Sequence, residues 1–141
     1  MSSGKDHTAA TIGLAIIYTT VDYAVGPWML LGIFIQPDLD VDGGYIGNFY
    51  LLKYPPLYHA WRIYWWPYSK LVPHRSFWSH SPLIGTLLRI LYLVGPFSIL
   101  YYLSQNTWPN FGIAWIPVVK ALVLTDFLHF VMDYYNPDTS R

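Results

Sequence analysis

The sequence predicts an all-α fold: a small bundle of four to five apolar helices, embedded in a membrane or associated with one. Three observations lead there. Hydrophobic residues make up 54% of the 141-residue chain and charged residues only 11%, against about 25% charged in an ordinary soluble domain. All eight acidic residues are aspartates and only four lysines are present, so few side chains remain to solvate helix surfaces. Seven Trp and thirteen Tyr are of the residue types that gather at membrane interfaces.

The length fits one domain spanning residues 1–141,. Zero formal charge and the lack of a basic run argue against a nucleic-acid partner,. Without cysteine there is no disulfide framework and no thiolate site, so any metal must sit on His and Asp,. The N-terminal stretch has no small-residue cleavage site, and no removable signal peptide is expected.

Residues 8–35 form the first apolar stretch, interrupted by Asp22 and by Gly26-Pro27. A proline preceded by glycine breaks a helix and suits the start of a new one. The expected structure is a helical hairpin, with helices at about 8–23 and 27–36,. A single straight helix would separate His7 from Asp38 by roughly 45 Å, whereas a hairpin returns them to the same end. The second arm leads into Pro37-Asp38-Leu39-Asp40-Val41-Asp42-Gly43-Gly44. Three alternate aspartates repel unless a cation or solvent separates them. The stretch reads either as a solvated turn or as a cation site, but an EF-hand is excluded because the chain has no Glu,.

Residues 45–72 read as irregular and aromatic, with a short Trp- and Tyr-rich helix beside Arg62 and Lys70. This helix is expected in the headgroup zone, with an aromatic core segment as the alternative. His59 stands alone there, as packing or surface. Apolar segments follow at Leu83 to Leu103 and at about Phe111 to Tyr135, separated by a loop at 104–110,. Asp22, Arg89 and Lys120 lie within apolar stretches, as candidates for inward pairing or for snorkelling. For Arg89 and Lys120, snorkelling to an interface is the expectation.

Two polar constellations stand out from this background. His74 and His80 flank Arg75-Ser76-Phe77-Trp78-Ser79 between two prolines. Six residues apart, they cannot share a helical face, so His74 is placed in a loop and His80 in the first turn of the helix that Ser81-Pro82 begins. Arg75 would sit at the same mouth, where its planar fork suits a phosphate or carboxylate; a surface salt bridge is the alternative. Asp126, His129 and Asp133, spaced by three and four residues, project from one helical face. His129 and Asp133 have a ligand-pair spacing, with a self-satisfied core hydrogen bond as the alternative.

The ordered set Ser3-Gly4-Lys5-Asp6-His7, Pro37-Asp38-Leu39-Asp40, Tyr64 through Lys70, His74-Arg75-Ser76-Phe77-Trp78-Ser79-His80, Gly85 through Tyr92, and His129 with Asp133 resembles a domain-of-unknown-function family of metal-binding proteins. More distantly it is similar to the LexA-regulated, membrane-bound metal-dependent hydrolases. The resemblance implies His7, Asp38, Asp40, His74, His80, His129 and Asp133 as metal ligands, and Arg75 as a phosphate or substrate contact. One departure is that Asp6 precedes His7 and Thr8 follows it, where relatives carry Thr-His-Asp.

Seven His and Asp ligands exceed the needs of one tetrahedral zinc, which favours two divalent ions, Zn or Mn. The expectation is a membrane-associated hydrolase of a phosphoester, in which Asp38 or Asp40 bridges the ions, the histidines fix coordination and Arg75 holds the leaving phosphate. The apolar walls suit a lipid-like substrate and contact with membrane lipid. The alternatives are a non-catalytic structural metal site, or an accessory subunit docking on a larger membrane complex or its own copy. Lys53, Arg62, Lys70 and Arg75 fall in one loop, which places it and the site on the cytoplasmic side.

Overall fold

In a computed structural model, residues 4–40, 53–74, 76–110 and 112–135 are described, apart from the side chains of Lys5 and Asp40. Helix α1 spans Gly4–Val21 and carries Asp6 in its first turn, where a carboxylate complements the positive end of the helix dipole. The chain reverses at Asp22. Its carbonyl accepts from the Val25 and Gly26 amides, and its Oδ1 accepts from the Ala24 amide at 3.0 Å. Asp22 therefore organises a turn instead of pairing across the bundle or snorkelling.

The returning arm is a 3-10 helix at Gly26–Ile33, with Pro27 in its first turn, followed by a 3-10 turn at Pro37–Asp40. The hairpin is present, but its second arm is not the α-helix expected at 27–36. Reach accounts for the difference. From Gly26 to Asp38 an α-helical rise covers ~18 Å, short of the ~21 Å between His7 and Val21. A 3-10 rise of ~2.0 Å per residue covers ~24 Å and carries Asp38 back to the level of His7. The arms pack closely because residue 26 is glycine; a Cβ there would collide with the Thr19 backbone. Ala15, Val25, Met29 and Ala121 form the first core cluster.

Helix α2 runs Pro55–Leu71, longer and more regular than the short helix expected within residues 45–72. It has two faces. Trp65 and Tyr68 are buried with Leu39 in a second core cluster, while Leu57, Ile63, Trp66 and Leu71 are exposed. The aromatic-core reading thus describes one side of the helix, and the other side is exposed. His59 lies on the exposed side.

Helix α3 is the short Phe77–His80 segment, capped by Ser76, and α4 spans Ile84–Gln105. His80 therefore ends one helix instead of starting the next. Inside α4, Pro96 has no N–H to donate to the Tyr92 carbonyl four residues earlier. The Tyr64 hydroxyl of α2 donates to the Tyr92 and Leu93 carbonyls at 3.1 Å each, and the Tyr92 hydroxyl donates back to the Tyr64 carbonyl at 2.6 Å. A 3-10 turn at Ile113–Trp115 leads into α5, Ile116–Tyr135. The described residues contain no β-strand, as the all-α expectation requires.

Arg89 overturns its expectation of snorkelling. It is 0% exposed and pairs with Asp126 of α5, which also accepts from the Thr86 hydroxyl. An apolar helix can hold a guanidinium inside only where a carboxylate compensates it, and Asp126 supplies that at the same depth. Lys120 is exposed. Helix α4 and the segment Ile113–Tyr135 are long and apolar enough to cross a membrane, and only 17% and 28% of their most apolar windows are buried.

Two substitutions test this packing. Asp126→Asn leaves the Arg89 charge buried without its counter-ion and should cost about 3–5 kcal/mol, read from denaturant unfolding of the purified protein. Tyr64→Phe removes only the hydroxyl that serves the freed α4 carbonyls, and should cost about 1–2 kcal/mol in the same assay.

Candidate metal centre

The hairpin, α3 and the end of α5 converge at one end of the bundle. His7 is in the first turns of α1, Asp38 in the 3-10 turn at Pro37–Asp40, and His74 just before α3. His80 closes α3, and His129 and Asp133 lie one turn apart on α5. The i, i+4 spacing aims the last two at the same point.

The distances between these groups lie within ion-pair range and also match the spacing of ligands around a shared cation,. Asp133 Oδ2 is 3.3 Å from His129 Nε2 and 3.9 Å from His80 Nε2, while its Oδ1 is 3.2 Å from His7 Nε2. Asp38 Oδ1 is 3.6 Å from His129 Nε2 and 3.8 Å from His80 Nε2. Most of these separations are too long for a hydrogen bond. Two ligands each ~2.1 Å from a tetrahedral ion stand roughly 3.4 Å apart, close to what is seen. His129 Nε2 is buried and makes no hydrogen bond among the described residues; two carboxylate oxygens face it instead.

The donors fall into two groups, His7 with His129 and Asp133, and Asp38 with His74 and His80. Within each group the ligand atoms lie within 4.8 Å of one another. The groups adjoin: the His7 and His129 rings stack with centroids 3.9 Å apart and planes at 14°, and His80 lies 6.0 Å from His129 and 5.5 Å from His74. Both carboxylates touch histidines of either group. Imidazole nitrogen and carboxylate oxygen without sulfur suit a borderline or hard divalent cation, and a divalent cation fits this donor set.

Electrostatics prepares two of the ligands, His80 and Asp38, for this role. Burial pushes the His80 imidazole down to about 4 from its ordinary 6.5; Asp38 and Asp133 pull upward, while His129 and His74 add to the depression. Its ring is therefore neutral at neutral pH, the form that coordinates metal. Burial acts to raise the Asp38 carboxyl, but the polar contact with His129 and the charges of His129 and His80 outweigh it, and the group stays below the usual carboxylate value.

Of the residues singled out from sequence, the structure brings together His7, Asp38, His74, His80, His129 and Asp133. Asp40 continues the Asp38 turn, but its side chain lies outside the described residues, as does Arg75. Asp126 shares a helix with His129 yet serves Arg89. Sequence reasoning missed the shell behind His80. The Ser79 hydroxyl lies 2.7 Å from His80 Nδ1, and the Ser79 carbonyl accepts from Arg89 Nη1 at 2.7 Å. The available signal was Arg89, the one charge in the apolar run of α4, which needs a carboxylate from another helix.

A helical bundle with imidazoles and carboxylates gathered at one end has the constitution of a metal-binding protein. The chain belongs to the family described as uncharacterized metal-binding protein (DUF2227), which matches residues 2–111. That match holds His7, Asp38, His74 and His80 and ends before the helix that supplies His129 and Asp133. No curated protein and no solved structure matches the chain.

The His80 shift fixes the sign of a pH effect in metal-free protein. Between about 6.5 and about 4 the unfolded chain protonates this imidazole and the folded one does not. The His80 contribution is therefore complete above about 6.5 and is lost as pH falls through that window. Thermal unfolding of apo wild type should weaken more steeply from pH 7 to 4 than that of His80→Gln, and parallel curves would contradict the assignment.

Proposed function

We propose that the protein is a membrane-associated, metal-dependent hydrolase of phosphoesters whose centre takes two divalent ions, Zn or Mn. The observation that carries this reading is the pair of adjoining His/Asp groups, each of whose carboxylates also faces a histidine of the other group, on a site left partly open. A closed structural centre buries its ligands, whereas here His74 is exposed and Asp38 and Asp133 are partly so.

Divalent ions supply Lewis acidity, which activates water and stabilises the charge that builds on a phosphoester during displacement. The protein's part is to hold the donors in place. His7, His129 and Asp133 would hold one ion, and His74, His80 and Asp38 the other. Asp38 and Asp133 each face histidines of both groups and would serve both ions. Arg75, next to His74 in sequence, is assigned to the phosphoryl group under attack, because a guanidinium fork matches paired phosphoryl oxygens. The motif resemblance to the LexA-regulated hydrolases points the same way.

The membrane part of the reading is supported by two long apolar helices that face mostly outward. Exposed Leu87, Leu91, Phe97, Leu100 and Phe127 extend that outward surface. In this reading α4 and α5 lie in lipid, and the basic residues Lys53, Arg62 and Lys70, on and beside α2, favour the cytoplasmic side for the site. A substrate with a lipid-like tail is then the natural choice.

Elemental analysis of protein expressed with zinc or manganese should return two ions per chain, and Asp133→Ala should return one or none. Hydrolysis of bis(p-nitrophenyl) phosphate should follow metal content and vanish with chelator. Metal binding without any phosphoester turnover would favour the structural alternative, and stoichiometrically metal-free wild type would sink the reading entirely. Membrane attachment is tested separately: the protein should stay in the pellet through a carbonate wash.

A further inference from the structure

Behind the cluster of donors stands a set of buried groups with no surface role. Ser79 is 0% exposed, and its hydroxyl lies 2.7 Å from His80 Nδ1 and 3.2 Å from the carbonyls of Pro73 and Ser76. A hydroxyl has a single proton to give and two lone pairs to receive with. The two carbonyls can only accept. When Ser79 donates to one of them, its oxygen is left to accept from His80, which requires the proton on Nδ1. His80 Nε2, on the far side of the ring, faces Asp38 Oδ1 and Asp133 Oδ2.

We propose that Ser79 is a positioning residue that holds His80 as the Nδ1–H tautomer, so that the Nε2 lone pair is presented to a divalent cation between Asp38 and Asp133. This deepens the metal-centre reading and rests on it for the identity of the ligand. Neutral imidazole in water favours the other tautomer, which would aim a proton at the carboxylates and block coordination. Histidine ligands generally have their second nitrogen fixed by an outer partner for this reason.

Ser79 is itself held from two sides. Arg89 Nη1 donates to its carbonyl at 2.7 Å, and Arg89 is anchored by Asp126. Helix α4 can come this near because residue 85 is glycine, where a Cβ would lie within 2.9 Å of the Ser79 carbonyl carbon. A chain of contacts thus runs from α5 through α4 to the ring of His80, and Ser79 is its last member.

Two measurements on the full chain test the assignment. Nitrogen-15 NMR of histidine-labelled, metal-free protein at neutral pH should show His80 protonated on Nδ1 in wild type and in Ser79→Thr, and mainly on Nε2 in Ser79→Ala. Zinc titration should show Ser79→Ala weakened ~10–100-fold with Ser79→Thr near wild type, and circular dichroism should be unchanged in both. An Nε2–H tautomer in wild type, or wild-type zinc affinity in a folded Ser79→Ala, would overturn the proposal. Wild type that shows Nδ1–H yet takes up no zinc would uphold the tautomer assignment and refute the metal-centre reading instead.

Discussion

The buried pair between Arg89 and Asp126 is the constraint on which the rest of this bundle depends. A guanidinium with no exposure is tolerable only where its charge is met, and here Asp126 meets it and accepts from Nη2 while the Ser79 carbonyl accepts from Nη1; Nε has no hydrogen-bond partner among the described residues. Neither charge can stay inside without the other, because the desolvation of a lone buried ion outweighs anything nearby packing returns. The pair therefore fixes the rotation and depth of α4 against α5. Through Ser79 it also fixes where α3 ends, and with it the place of His80. The Thr86 hydroxyl on the same carboxylate leaves little freedom in the arrangement.

Convergence of the site then follows from lengths and directions. The hairpin leaves the site end at His7 and returns to it at Asp38, a distance that a 3-10 arm can cover and an α-helical arm of equal residue count cannot. Helix α5 reaches the same end with its last turns, presenting His129 and Asp133 from one face. What results is a compact set of nitrogen and oxygen donors, most of them too far apart for hydrogen bonds and spaced as ligands of shared cations are.

Much of this was legible in the sequence, and the parts that were not share a cause. Apolar runs bounded by Pro and Gly announce the helices. Asp22 and Gly26-Pro27 announce the reversal, and the spacing of His129 and Asp133 announces one face. These are local signals. The 3-10 character of the returning arm is set by the distance it must span beside α1, which no local window contains. The partner of Arg89 is 37 residues away, and only the antiparallel pairing of α4 with α5 reveals that the two charges lie at one level. The aromatic run of α2 resisted a single reading because the helix has two audiences, a core that takes Trp65 and Tyr68 and an outer face that keeps Trp66 and Leu71 exposed.

The dependence of Arg89 on α5 also dictates a sequence of events in assembly. Helix α4 emerges first with an uncompensated cation in its second turn, and Asp126 becomes available only with the last described helix. The two must therefore settle together, and the same step delivers His129 and Asp133. A cation arriving earlier finds at most part of its ligand set, so it cannot guide the opening stages of folding. On the metal reading proposed above, loading would come last, and a metal-filled chain would be one whose last helix has already docked.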